Sequence, residues 1–130
     1  MSPQEVTSNF YTLFGAGDIE TMLSQCVAVD AVLDNPLPEP VPFGGIYEGH
    51  SGFITYAQEI FSAIQIELFE IDEILVQRER VTVLGREISR SLATGKTYNI
   101  SWVHMLTVRD GLVQHMREYN DTAAMALAFL

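Results

Sequence analysis

The chain has 130 residues, 48% of them apolar and 18% charged, which is typical of one globular domain with one core. Its formal net charge of −10 argues against nucleic acid and against an anionic membrane as partners. No apolar run approaches the length of a membrane span, and the first five residues lack the basic start of a secretory signal. We therefore expect a cytoplasmic protein.

The numbers and positions of cysteine and histidine indicate whether disulfides or a metal site can form. Cys26 is the only cysteine, which excludes an internal disulfide and a cysteine metal cluster. The three histidines, His50, His104 and His115, do not have the spacing of metal ligands on a helix. We expect neither a metal nor another cofactor.

The first half of the chain predicts helices around one strand and one loop. Ser2 and Asp18 are suited to cap two successive helices. A strand is predicted over Ala28–Asp34, and the proline-rich and glycine-rich segment 35–49 is predicted to be a loop on the rim of a pocket.

A third helix follows that loop. We predict Ser51 as its cap residue, and apolar side chains recur behind it at core spacing, Ile60 and Ile64 among those directed inward.

The second half predicts a meander of strands. The pattern alternates from Ile66 to Asp121, and the final segment, AAMALAFL, predicts a short helix without a polar face, capped by Asp121. The expected fold class is α+β in a single domain, residues 1–130. A strongly curved antiparallel sheet would wrap around the three N-terminal helices and enclose a pocket.

The hairpin over Thr97–Asp121 decides which side chains share a face. A two-residue loop would pair Arg109 with Leu112 and place His104 and Glu118 on opposite faces. A three-residue loop with a bulge would pair Val108 with Leu112 and place both on one face. We predict the bulged register, because it keeps charged and polar residues of the last strand off the core side. The inner face then carries Ile100, Trp102, His104, Met116, Glu118 and Asn120.

The preceding hairpin adds a second carboxylate to that face. Pairing Leu92 with Thr97 places Glu87 opposite Trp102, so that one row across three strands reads Glu87, Trp102, Glu118. Buried carboxylates must be paired, hydrogen-bonded or protonated, which makes such a row unusual for an ordinary core.

Several segments together resemble the nuclear transport factor 2-like (NTF2-like) superfamily. They are GGIYEG at 44–49, GKTYNI at 95–100, VRDGLV at 108–113 and REYND at 117–121. Within that superfamily the chain is similar to the SnoaL-like polyketide cyclases and the limonene epoxide hydrolases. The resemblance to the cyclases implies that His104 and Glu118 are the pocket histidine and the acid–base carboxylate, and that Asn35 is a pocket asparagine.

The favoured function is proton abstraction next to a carbonyl, as in cyclisation or isomerisation. Glu118 would be the general base, and His104 would hydrogen-bond the substrate oxygen or orient Glu118. Asn35 would bind the polar end of a small, mostly apolar substrate of polyketide or terpenoid type. The other expected substrate-binding residues are Trp102, Ile100, Met116, Asn120, Ile60 and Ile64.

Two alternatives stay open. In the epoxide hydrolase reading, water is activated between Glu87 and Glu118, although Gly85 and Leu33 stand where that family has arginine and tyrosine. In the other, the domain binds a ligand without turnover.

We also expect a homodimer through the outer face of the sheet. That face carries the apolar side chains of Leu84, Val103, Met105 and Tyr119, which a monomer would expose.

Overall fold

The computed structural model describes all 130 residues, in four helices and six strands. The helices are α1 (Pro3–Gly15), α2 (Ile19–Cys26), α3 (Gly49–Ala63) and α4 (Thr122–Ala128). The strands are β1 (Val27–Asn35), β2 (Gly45–Glu48), β3 (Ile64–Gln77), β4 (Arg80–Ser91), β5 (Thr97–Arg109) and β6 (Leu112–Asn120). None of the helices combines the length and the apolar content that crossing a bilayer requires.

Helix starts follow the capping residues at three of four sites. The side chains of Ser2, Asp18 and Asp121 each accept a hydrogen bond from a backbone N–H in the first turn, as the sequence predicts. The prediction of Ser51 as a cap is wrong. Helix α3 starts at Gly49 and has no side-chain cap, because strand β2 leads directly into it and Gly49 makes the turn at a φ of +69°.

The six strands form one curved sheet in the order β2-β1-β6-β5-β4-β3. The predicted α+β class is confirmed. The sheet is mixed rather than antiparallel throughout, since β1 pairs in parallel with β6. The segment from β2 to β5 connects those two strands, and it is long enough for the crossover connection that parallel pairing requires.

Helices α1 and α3 pack against one side of the sheet. A cluster of 27 buried residues joins the helices to that side, with Val6 and Phe10 from α1 and Phe53 from α3 among them. The inner positions of β4 and β5 alternate with exposed ones, which is the pattern of a sheet with one solvated face. The core and the cavity described below therefore share the same side of the sheet.

The β5–β6 hairpin differs from the predicted register. Arg109 pairs with Leu112 across a two-residue turn, in which Asp110 and Gly111 both have positive φ. The predicted Val108–Leu112 pairing is therefore wrong.

The bulge lies further along the strand. Thr107 pairs with His115 while Val108 pairs with Val113, which leaves Gln114 as the extra residue on β6. This insertion reverses the faces again, so His104 and Glu118 do share the inner face. They are direct partners rather than diagonal neighbours.

The β4–β5 register also differs, by two residues. Arg90 rather than Leu92 is the partner of Thr97, so Glu87 lies opposite Ile100, and Trp102 lies opposite Gly85. The predicted row of Glu87, Trp102 and Glu118 is wrong. A shift of two preserves the face of every side chain, because side chains alternate with a period of two.

Gly85 makes room for the indole of Trp102. A Cβ at position 85 would lie far inside van der Waals contact with the Trp102 ring and with the backbone oxygen of Glu70. The absence of a side chain at 85 thus fixes where the fully buried indole lies on the inner face.

We predict that Gly85→Ala lowers the free energy of unfolding by about 3 kcal/mol, because backbone and a packed ring must both move. Gly15→Ala is the matched control, since nothing lies within 4 Å of its added Cβ. The control should be neutral or slightly stabilising. Urea unfolding measures both, and equal stability of the two variants would contradict this packing role.

Candidate active site

A cavity of about 650 Å³ lies between the concave face of the sheet and helices α1 and α3. Fifteen of its 22 lining residues are hydrophobic. Ile66, Phe69 and Ile71 of β3 line it and are each more than a third exposed, so the cavity reaches the surface along that strand. Its volume and apolar wall suit one small organic molecule.

Four polar side chains in the wall contact one another in a row. His104 Nε2 lies 3.0 Å from Glu118 Oε1, and His104 Nδ1 lies 2.7 Å from the Tyr11 hydroxyl. The Tyr56 hydroxyl donates to Glu118 Oε2. Helix α1 provides Tyr11 and helix α3 provides Tyr56, whereas His104 and Glu118 are opposed on β5 and β6. We call these four residues the polar chain.

One arrangement of protons fits the contacts of the polar chain. A neutral His104 with its proton on Nε2 accepts at Nδ1 from Tyr11 and has Nε2 3.0 Å from one oxygen of a Glu118 carboxylate, while Tyr56 donates to the other carboxylate oxygen. Burial, and then the charge of Glu118, raise the pKa of Tyr11 and of Tyr56 well above the usual tyrosine range. Both phenols therefore keep their protons and remain donors.

Stacked rings hold the His104 imidazole in place. The Trp102 ring lies 4.1 Å from it, centroid to centroid, with 22° between the planes. Phe69 stacks on Trp102 at 4.8 Å, and Tyr11 stacks on the imidazole at 5.8 Å. Ring stacking, the hydrogen bond with Tyr11 and the contact with Glu118 together fix the orientation of His104.

Glu87 is a second buried carboxyl group at the cavity. The Ser89 and Tyr98 hydroxyls donate to the same oxygen, Oε2, at 2.6 and 2.8 Å. The other oxygen, Oε1, has no hydrogen-bond partner within the protein, and Glu87 lines the cavity. Burial raises the pKa of Glu87 above its usual value, although its two hydroxyl partners oppose the change. When Glu87 is protonated, the proton belongs on Oε1, because Oε2 is already accepting two bonds.

Asn35 lies beside the polar chain at the end of β1. Asp34 pairs with Arg117, so the next residue along each strand places Asn35 next to Glu118. The Asn35 amide donates to the Phe43 carbonyl at 3.4 Å, but its buried Oδ1 has no partner. Asn35 is only 1% exposed, and it lines the cavity. Asn35 therefore leaves one buried acceptor beside the site without a partner in the protein.

The structure brings together eight of the ten residues proposed from the sequence. Trp102 and Ile100 do not line the cavity: Trp102 packs behind His104, and Ile100 is buried opposite Glu87. The eight that line it are Glu118, His104, Glu87, Asn35, Met116, Asn120, Ile60 and Ile64.

Tyr11 and Tyr56 were not identified as site residues from the sequence. Each stands in an apolar helical face, where a tyrosine usually signals packing. The sequence gives one indication of a polar role, because a buried tyrosine hydroxyl needs a hydrogen-bond partner. Only the folded structure shows which residue is that partner. No group of three or more histidine, cysteine or acidic side chains is arranged to hold a metal ion.

Comparison with known proteins places this architecture in a family. The SnoaL-like domain family matches residues 7–116, and the chain belongs to it. An NTF2-like protein from Burkholderia xenovorans LB400 is 30% identical, with a TM-score of 0.91 over 98% of this chain and 95% of that one. The family assignment made from the sequence is confirmed.

Two further solved structures are informative. TerC, co-crystallised with polyporic acid, is 28% identical, with a TM-score of 0.84 over 98% of each chain. A protein from Mesorhizobium loti described as a SnoaL-like polyketide cyclase is 18% identical, with a TM-score of 0.75 over 92% of this chain and 99% of that one, and bears on the fold alone. No curated protein matches the sequence.

The raised pKa of Glu87 predicts how stability depends on pH. The carboxyl group has a pKa of about 4.3 in an unfolded chain and a higher one when folded, so the folded protein binds the proton more tightly. Its contribution is fully favourable below about pH 4 and is lost as the pH rises through the folded-state pKa. Glu87→Gln removes that loss, so the variant should gain stability relative to wild type as the pH rises from about 4 to 8.

Chemical denaturation across that range measures the difference. Glu39→Gln, at an exposed loop carboxyl group, is the control and should not reproduce the trend. If wild type gains on Glu87→Gln as the pH rises, Glu87 is stabilised as an anion and the interpretation of its environment is wrong.

Proposed function

We propose that this protein binds a small, mostly apolar carbonyl compound and catalyses proton transfer at the carbon next to the carbonyl. The observation that carries the proposal is the polar chain Tyr11–His104–Glu118–Tyr56 in the wall of an otherwise apolar cavity. Glu118 and His104 are only 6% and 5% exposed, so an acid–base group here acts away from bulk water.

Glu118 is the proposed base. Oε2 accepts a hydrogen bond from Tyr56 and Oε1 contacts His104, and a carboxylate has about four lone-pair positions, so each oxygen keeps one free for a proton from the substrate. Tyr56 and His104 hold the carboxylate in a fixed orientation toward the cavity. Such positioning is worth more to catalysis than the strength of the base alone.

The proton transfer leaves negative charge on the substrate oxygen. The carbon–hydrogen bond breaks, its proton passes to Glu118, and its electron pair forms the enolate. Glu87 can donate from Oε1 to that oxygen when protonated. Return of the proton to another carbon gives isomerisation, and attack by the enolate carbon on an electrophilic carbon of the same molecule gives cyclisation.

The comparisons support a small organic ligand. TerC, a relative of nearly the same length, was crystallised with polyporic acid, and the family match covers most of this chain. These comparisons support a small-molecule site in general. The roles proposed for Glu118, His104 and Glu87 rest on the contacts described above.

A non-catalytic ligand-binding domain is the second candidate. It is favoured by one observation: the protein itself already provides polar contacts for both oxygens of Glu118 and both nitrogens of His104. Hydrolysis of an epoxide is less well supported. Gly85 stands at the position of that family's arginine, and the Trp102 ring fills the space that any side chain there would need.

Exchange of hydrogen for deuterium in 1-tetralone tests the catalytic proposal. This uncharged apolar ketone has protons next to its carbonyl on one carbon, so NMR in deuterated buffer follows a single exchange. We expect wild type to accelerate the exchange and Glu118→Gln to lose at least about a hundredfold of the acceleration. Tyr56→Phe should lose part of the acceleration, because the Glu118 carboxylate is then held only by its contact with His104.

Glu70→Gln is the matched control, since it removes the same charge from the outer face, where Glu70 pairs with Arg86. The control should keep the wild-type rate. A wild-type protein that exchanges the ketone no faster than Glu118→Gln would favour the non-catalytic candidate.

We also propose a homodimer through the outer face of the sheet. Met105 and Tyr119 are 42% and 43% exposed there. Val103 lies opposite Tyr119 on β5, and Leu84 lies opposite Val103 on β4. Sedimentation at micromolar concentration should give twice the 14.5 kDa of one chain, and Met105→Glu should shift the protein to monomer. A wild-type protein that sediments as a monomer contradicts the proposal.

A further inference from the structure

Most hydrogen-bond donors in the cavity wall are already used within the protein. The hydroxyl groups of Tyr11 and Tyr56 are both engaged in the polar chain. The Asn35 amide donates to a backbone carbonyl, and its Oδ1 is enclosed, so no ligand can reach that atom. A ligand that leaves these contacts in place has to take its hydrogen bond from another donor of the wall.

Asn120 provides such a donor on the sheet side of the cavity. It is the last residue of β6, it lines the cavity, and it is partly buried. Its side-chain amide has no hydrogen-bond partner within the protein and is not enclosed, so a bound molecule can reach it. The Thr12 hydroxyl also lines the cavity without a partner, but Thr12 is exposed on α1, where water serves it.

Asn120 and Glu118 occupy neighbouring inner positions of the same strand. The residues that alternate with them, Arg117 and Tyr119, are exposed on the other face. Two residues of a strand span about 7 Å between backbones. A base acts about 3 Å from the carbon whose proton it takes, and an oxyanion donor lies about 3 Å from the oxygen. Because a single carbon links these two atoms in a ketone, Glu118 can reach the carbon while Asn120 reaches the oxygen.

The geometry points to Asn120 as a catalytic residue that donates a hydrogen bond to the carbonyl oxygen of the substrate and stabilises the enolate. This inference rests on the proposed function and names a further group that performs it. As the carbon–hydrogen bond breaks, its proton passes to Glu118 and its electron pair leaves negative charge on the oxygen. The Asn120 amide keeps its own protons and donates more strongly to the charged oxygen than to the neutral carbonyl. Glu87 donates only while it is protonated, whereas an amide donates in every protonation state of the site.

Infrared spectroscopy of bound 1-tetralone tests the contact without any turnover. The difference between spectra of unlabelled ketone and ketone labelled with carbon-13 at the carbonyl isolates the stretching band of that bond. A hydrogen bond to the oxygen weakens the bond, so we expect the band of wild type at lower wavenumber than that of Asn120→Leu, which removes the donor at similar size. Asn99→Leu, the same substitution at an exposed position of β5, is the matched control and should leave the band at its wild-type position.

Deuterium exchange of 1-tetralone measures what the hydrogen bond contributes to the rate. Asn120→Leu should lower kcat about a hundredfold and change KM by less than about threefold, because the donor acts mainly on charge that develops in the transition state. Asn120→Asp keeps the shape but replaces the donor with a second charge beside Glu118, so it should lose at least as much. Asn120→Gln keeps the amide and should retain more activity than either, and Asn99→Leu should behave as wild type.

An unchanged carbonyl band in Asn120→Leu, or exchange by that variant at the wild-type rate, would overturn the inference. Equal loss of exchange in Asn120→Gln and Asn120→Leu would also overturn it, because the shape of the side chain and not its donor would then matter. The proposed function fails separately: a wild-type protein that shows the shifted band but does not exchange the ketone has the Asn120 contact without the proposed catalysis. Wild-type protein that gives no band of bound ketone would overturn both.

Discussion

The buried pair of His104 and Glu118 is the constraint on which the rest of the site depends. The two residues are directly opposed on β5 and β6, with their side chains joined at 3.0 Å in the wall of the cavity. A carboxylate and an imidazole so far from water need a partner for every polar atom. Tyr11 and Tyr56 meet that need from two different helices. The requirement thus ties α1 and α3 to the last two strands at defined points.

The hydrogen bonds of Tyr11 and Tyr56 to the sheet also explain why a cavity exists beside a well-packed core. The hydroxyl groups of Tyr11 and Tyr56 reach the sheet at their tips, which leaves apolar side chains of the same helices to line the space between. On the sheet side, Trp102 occupies the room over Gly85 and supports the imidazole of His104 from behind. Packing behind the wall and hydrogen bonding along it therefore stabilise the same arrangement.

The separation of charge gives the site its chemical character. Glu87 and Glu118 face the cavity, whereas the arginines of the neighbouring strands point outward to acidic partners. The two carboxyl groups have different surroundings: Glu118 has Tyr56 on one oxygen and His104 on the other, while Glu87 has both donors on one oxygen and leaves the other open. Unequal surroundings are what allow two chemically identical groups to take different roles in acid–base chemistry.

By itself the sequence determined the α+β class and the helix caps at Ser2, Asp18 and Asp121, because capping and two-residue alternation are local properties. Only the tertiary structure decided the rest. The bulge at Gln114, rather than one at the turn, aligned His104 with Glu118, and the parallel pairing of β1 placed Asn35 beside them. Tyr11 and Tyr56 joined the site through contacts 93 and 62 residues distant in the chain. Such contacts depend on how helices pack on the sheet, and local sequence patterns do not encode that geometry.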